Sequence, residues 1–227
     1  PVPGMPASSP SAKLRVDHLV WAVPTTLEQG MATFEAMTGV SARVGGVHRG
    51  LGTHNAIASL GDGVYFEILA RDPAQPNPER IWMGMGDPLD TPRLQCWARA
   101  PNSPDLRGTV AAARSQGYDP GEPKRFERKT PSGAELRWTL AFNHYSDLPG
   151  KGIVPFLIEW ESGSPAATAP TGCELVSLRA ECPPEALPEV GAQLSSVGVD
   201  PAALGLIPGP ENRLIATLHT PKGLVEF

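Results

Sequence analysis

LRVDHLVWAV at 14–23 and LGDGVYFEILA at 60–70 bracket VPTTLEQGMATFEAMTGV at 23–40, a stretch with helical rather than strand periodicity. Successive side chains of a strand alternate sides, so Leu19, Trp21 and Val23 share one face, and Val16, His18, Val20 and Ala22 the other. Leu27, Met31 and Phe34 recur at the spacing of one helical face. Thr25 and Glu28 have capping-box spacing, and Gly39 can take the left-handed conformation that ends a helix. The apolar Leu19/Trp21/Val23 face suits packing against that helix, so His18 points away from it. In 63–70, Val64, Phe66 and Ile68 form the helix-facing set, which leaves Tyr65, Glu67 and Leu69 on the other side. With the first and last strands side by side, His18 and Glu67 project together.

The unit recurs, and repeats decide architecture before anything else. RLQCWARA (93–100) opens a second copy, with Ser103 as N-cap, Pro104 at the first helical position, and Leu106, Val110 and Ala113 before Gly117. TPSGAELRWTLA (130–141) closes it. CELVSLRAE (173–181) opens a third, followed by Leu187, Val190 and Leu194, a helix end near Gly198, and TPKGLVEF (220–227). Pro188 is tolerable only in the first turn of that helix. Gly-containing turns (GDG, PSG, PKG) precede the closing strands. Each copy reads βαβββ, an α+β fold of repeated modules. The organisation expected is a flexible tail at 1–13, a two-module domain at 14–160 (modules 14–70 and 93–160), and a third module at 173–227. Residues 71–92 and 161–172 read as linkers. The odd number of modules predicts either a homodimer or a third module packed at the rim of the first two, because an unpaired sheet exposes an edge and an apolar face.

The 227 residues can bury a substantial core. A net charge of −5 gives no basic surface for nucleic acid. No apolar run reaches the roughly 18 residues of a membrane span, and PVPGMPASSPSA at the start has no apolar signal core. Three cysteines without CxxC spacing indicate neither a disulfide framework nor a zinc knuckle, and point to a reducing, cytoplasmic setting.

An imidazole and a carboxylate on one concave face form a half-site for a divalent metal or a general base, and equally a buried hydrogen-bonded pair of structural value. His48 and His54 flank a GLG turn and could converge across a hairpin. Asn55 is a candidate ligand contact, or a turn residue. Trp97, Trp138 and Trp160 read as core or barrel wall, where an aromatic would hold a flat substrate. Arg99 and Arg137 could clamp a carboxylate. Cys96 has no evident base partner and reads as packing.

DHLVWAVP at 17–24, GGVHRGLGTHNAIASLGDGVYFEILA at 45–70 and VPFLIEW at 154–160 together resemble the vicinal oxygen chelate superfamily, in its glyoxalase-like branch. The resemblance implies paired βαβββ modules curling into an open barrel around a metal, held by the first and last strands of each module. It places His18 and Glu67 as ligands, with Cys96 or Leu94 opposite His18 and Arg137 opposite Glu67. In the third copy Ser177 and Phe227 occupy those two places. An arginine there would repel a cation and attract an anion, so Glu159, His48 or His54 is needed to complete the set. The resemblance thus implies a site with His18, Glu67 and His48 on zinc, iron, manganese, cobalt or nickel, and with Glu159 and Arg137 as catalytic groups. Arg99, Asn55, Trp138 and Trp160 would bind substrate. The expected activity is metal-assisted isomerase, lyase or dioxygenase chemistry on a small oxygen-rich or anionic carbonyl compound, the metal acting as Lewis acid. The alternatives are a metal-free binding or sequestration protein using the same cavity, and a scaffold whose cup is filled with side chains.

Overall fold

The computed structural model describes residues 10–130, 132–142 and 147–227. Its elements follow the repeat. A short helix α1 (Pro10–Leu14) leads into β1 (Val16–Ala22), α2 (Leu27–Thr38), β2 (Arg43–His48), β3 (Thr53–Ser59) and β4 (Tyr65–Arg71). The second module is β5 (Arg93–Arg99), α3 (Leu106–Ser115), β6 (Lys124–Lys129), β7 (Glu135–Ala141) and β8 (Phe156–Trp160). The third unit is β9 (Glu174–Cys182), α4 (Leu187–Ser196), β10 (Leu206–Pro208), β11 (Arg213–Thr220) and β12 (Gly223–Glu226). No helix among the described residues is long and apolar enough to cross a membrane.

Local chemistry explains the helix ends, with small corrections. The capping box of α2 is Thr26 with Gln29 rather than Thr25 with Glu28: Gln29 N donates to Thr26 Oγ1 and Thr26 N to Gln29 Oε1, both at 3.2 Å. Gly39 ends the helix at φ 80°. The N-cap of α3 is Asp105, not Ser103, because the Asp105 carboxylate accepts from Gly108 N at 2.8 Å. Of the expected flexible tail, residues 1–9 lie outside the described residues. Residues 10–14 are helical, anchored by the buried Leu14.

Modules one and two merge into one curled eight-stranded sheet, ordered β2-β3-β4-β1-β5-β8-β7-β6. In each module the last strand runs parallel beside the first, β4 beside β1 and β8 beside β5. The strand at 135–141, expected to close module two, is therefore its third. A turn containing Ser132 and Gly133 joins β6 to β7, and the chain travels to residue 156 before laying down β8. Helices α2 and α3 cover the convex face. The concave face is apolar too: Val20, Ala22, Leu69, Cys96, Ala98, Leu140, Phe156 and Ile158 pack there with Trp82, Met83 and Met85. The 71–92 stretch is thus wall rather than linker. At the open end, Arg128 Nη1 on β6 donates to Gly45 O on β2 at 2.9 Å, bridging the two edges of the sheet.

The third copy has the element order of the others but not their pairing. Its four-stranded sheet runs β10-β9-β11-β12, with β10 parallel to β9, so its first strand is central and no cup forms. It folds onto the convex side, instead of the rim. Phe227 meets Phe66 (4.8 Å between ring centroids), Trp21 (5.4 Å) and Phe34 (5.9 Å). Leu175, Leu178, Leu214 and Leu218 join the core beneath α2 and α3. The apolar face that invited a partner is covered within the chain.

Candidate functional site

The site begins with a register fault. Val16 lies opposite Arg99 and His18 opposite Ala98, so Asp17 is an extra residue in β1. A bulge of this kind turns side chains out of strict alternation. Val16 falls into the convex core, and Asp17 and His18 come to face each other: Asp17 Oδ1 is 2.7 Å from His18 Nδ1. Trp160 Nε1, from the end of β8, donates to Asp17 Oδ2 at 3.0 Å. A buried carboxylate needs such partners, and here they fix the imidazole plane. Tyr65, opposite His18 in β4, stacks on it with centroids 4.5 Å apart and planes 16° off parallel.

Glu67 follows two residues along β4 and is 2 % exposed. Its Oε1 accepts from Asn55 Nδ2 at 2.8 Å, and its Oε2 lies 3.4 Å from His18 Nε2. His48 closes the group. Its Nε2 is 3.8 Å from Glu67 Oε1 and 3.4 Å from Asn55 Nδ2, while its Nδ1 contacts Thr53 Oγ1 at 2.8 Å. Facing an amide donor, Nε2 acts as acceptor, which places the His48 proton on Nδ1. Burial holds this imidazole below its ordinary value of 6.5; Glu67 opposes the shift, and Arg128, His18 and His54 add to it. Burial, then the carboxylates of Asp17 and Glu67, push the Tyr65 phenol well above its usual range, so it stays protonated.

Around these groups lies a cavity of about 570 Å³. Tyr65, Trp82, Phe126, Trp138, Phe156 and Trp160 form an aromatic wall, and Arg128 stands on its basic side. Phe126 stacks on Trp138 and Trp138 leans on Trp160. The volume suits a ligand of drug-fragment size.

The structure brings His18, Glu67, His48, Asn55, Trp138 and Trp160 to this cavity, and it removes three expected residues. Glu159 points the other way and accepts from Leu106 N at 3.0 Å, satisfying an orphan amide at the start of α3. Arg137 is on the outer face of β7, where Nη1 pairs with Glu135 Oε2 at 3.1 Å. The alternation in β7 sends Trp138 and Leu140 into the cup, and so turns Arg137 away from it. Arg99 is buried beneath the third unit, donating to Gly198 O and Asn102 Oδ1. Burial and Arg15 bring its pKa down to about 10. His54 lies on the helix side of β3 with Ala56 and Ala58, away from the cavity. Sequence reasoning missed Asp17, Arg128 and Trp82. The adjacent DH pair was visible, but strict alternation sends Asp17 to the opposite face.

The pairing also settles which residues are equivalent between modules. Gln95 is the extra residue of β5, lying between Leu94 (opposite Trp21) and Cys96 (opposite Val20). His18 and Cys96 therefore each follow a bulge. Glu67 stands opposite Val20, and Phe156 opposite Ala98, each two residues farther along. Cys96 and Phe156 thus occupy the places of His18 and Glu67, and Arg137 has no part in that correspondence. Burial and Glu67 raise the Cys96 thiol well above its usual range. The two imidazoles meet different oxygens of Glu67 instead of one point. No group of three or more His, Cys, Asp or Glu among the described residues is placed to hold a metal ion. As arranged, these residues do not fit a four-ligand centre.

Comparison with known proteins agrees with this architecture. No curated protein sequence matches the chain. A hypothetical protein from Staphylococcus aureus superposes with a TM-score of 0.58 at 14% identity, over 93% of this chain and 84% of that one. Methylmalonyl-CoA epimerase from Mycobacterium tuberculosis gives 0.41 at 17% identity, over 72% and 97%. A mutant 4-hydroxymandelate synthase from Streptomyces coelicolor gives 0.41 at 12%, over 94% and 62%. The profile of the glyoxalase-like domain matches residues 16–198, from the first strand of the cup to the end of the third unit's helix, and the chain belongs to that family.

Proposed function

We propose that this chain is an enzyme that moves a proton at an atom next to a carbonyl group of a small oxygen-rich compound, with Glu67 and His18 as the exchanging pair. The observation that carries the reading is the run of contacts from Asp17 through His18 and Glu67 to Asn55 in an otherwise aromatic cavity. Asp17 keeps the His18 proton on Nδ1, so Nε2 is the nitrogen that exchanges. Asn55 fixes Glu67 Oε1 and leaves Oε2 as the base. A proton leaving the substrate carbon passes to Glu67, and the electron pair moves onto the carbonyl oxygen. The protonated Tyr65 phenol is a donor for that oxygen. Return of the proton to the former carbonyl carbon of a hydroxy carbonyl compound, as His18 Nε2 carries the hydroxyl proton to the former carbonyl oxygen, completes an isomerisation.

A resident divalent metal is the second reading, and it would need the His18 and His48 imidazoles, which meet different oxygens of Glu67, to turn toward one point. The Asp17–His18 bond favours it, since metal-ligating imidazoles commonly donate their other nitrogen to a carboxylate. Proton NMR in D2O with a panel of 2-oxo acids and 2-hydroxy ketones tests the first. Deuterium should enter the position beside the carbonyl with the wild type, and Glu67→Gln should abolish exchange while bound-state shifts persist. Binding without exchange in the wild type overturns catalysis in favour of a sequestration protein. Elemental analysis of the purified protein and of His18→Ala tests the second: stoichiometric metal that the variant loses moves the chemistry to the metal.

A further inference from the structure

Arg128 is a charge the fold leaves open. Two arginines of the same hairpin are neutralised: Arg125 Nε sits 2.8 Å from Glu161 Oε1, and Arg137 is paired with Glu135, while Lys129 is exposed to solvent. Among the described residues no carboxylate lies within ion-pair distance of Arg128, which lines the cavity and spends one nitrogen, Nη1, on Gly45 O. Its room is made by glycine. A Cβ at Gly46 would overlap Arg128 Nη1, so any side chain there would evict the guanidinium. It lines the same cavity as His48 and Tyr65. Aromatic groups adjoin it: Phe126 shares its face of β6, Trp138 pairs with Phe126 across the hairpin, and Trp82 lines the same cavity.

We infer that Arg128 is a specificity-determining residue and that the ligand is a ring-bearing monocarboxylate, its carboxylate on the guanidinium and its ring against Trp138 and Phe126. This rests on reading the cavity as the ligand site. One partly buried guanidinium fits one planar carboxylate through a two-pronged contact. Arg49 and Lys129 also line the cavity but are exposed to solvent, so a dianionic phosphate would meet a single partly buried cation while facing the Asp17 and Glu67 carboxylates. The aromatic wall supplies flat apolar surface for the ring.

Quenching of cavity tryptophan fluorescence by phenylacetate, phenylacetamide, acetate and inorganic phosphate tests the inference. Phenylacetate should bind roughly tenfold or more tighter than phenylacetamide, the scale of one charge-assisted hydrogen bond, and far tighter than acetate or phosphate. Arg128→Gln should bring the acid-to-amide ratio near one. Gly46→Ala, which displaces the guanidinium without removing it, should do the same. Equal affinity for acid and amide in the wild type overturns the inference, as does an unchanged ratio in both variants. Phosphate displacing phenylacetate at equal concentration overturns the carboxylate class, and acetate matching phenylacetate overturns the ring. Carboxylate preference in a wild type that exchanges no deuterium leaves this inference standing and sinks the proton-transfer reading. Exchange of neutral carbonyl compounds without acid preference does the reverse.

Discussion

Asp17 and His18 are neighbours in the chain whose side chains meet at 2.7 Å, a contact that regular strand geometry forbids and one inserted residue permits. Asp17→Asn keeps an oxygen but removes the charge that orients the imidazole. Deuterium exchange should fall roughly 10- to 100-fold, the range seen when an orienting partner of a functional imidazole is lost, with little change in melting temperature. Asp17→Ala should cost stability as well, about 1–3 kcal/mol, because Trp160 Nε1 loses its buried acceptor. Equal effects of the two variants on exchange and on melting would reduce Asp17 to a structural group.

His48 links stability to pH. Its folded pKa lies below the ordinary 6.5, so the unfolded chain binds the proton more readily. The contribution is present above pH 6.5 and is lost as pH falls through the lowered folded value. Denaturant unfolding at pH 7.5 and 5.0 should show a loss on acidification that shrinks in His48→Phe, which retains an aromatic ring against Trp82 but cannot titrate. An unchanged difference would place the acid sensitivity elsewhere.

Cys96, Cys173 and Cys182 are free, buried and held above the usual thiol range by burial. A disulfide reagent at pH 8 should find almost no reactive thiol in the folded protein and all three after denaturation. Rapid labelling of Cys96 in the native state would mean that the cup opens far wider than its packing implies.

The third unit should be indispensable to folding. Phe227→Ala removes a ring that touches Trp21, Phe34 and Phe66, and should cost about 3 kcal/mol. Removing residues 173–227 uncovers the convex core and should leave an insoluble chain. A soluble, cooperatively melting 1–172 fragment would show instead that the cup folds unaided.

Much of the fold and half of the site are legible in the amino-acid sequence. The alternation in β1 and β4 puts His18 and Glu67 on one face because their opposite faces are uniformly apolar and adjoin an amphipathic helix. β7 misleads for a physical reason. Both sides of this sheet bury apolar surface, so Leu136, Trp138 and Leu140 could face helix or cup with equal ease, and Trp138 and Leu140 face the cup. Glu159 looks catalytic because a carboxylate in an apolar strand demands a partner; the partner is the amide end of α3. Trp82 sits in a stretch without periodicity, where pattern carries no direction. Arg128 occupies an exposed-looking edge strand, KRFERK, and only the curl of the sheet brings that edge to Gly45.

The unequal halves of the cup have a stereochemical consequence. Two structurally matched strand pairs form the cup, yet the place that mirrors Glu67 is filled by Phe156, and the place that mirrors His18 by a protonated thiol. On the proposed chemistry, a planar enolate held between them would meet Glu67 and His18 on one side and a phenyl ring with an un-ionised thiol on the other. Re-protonation would then be confined to the face of Glu67 and His18, and the proposed isomerisation would give one enantiomer.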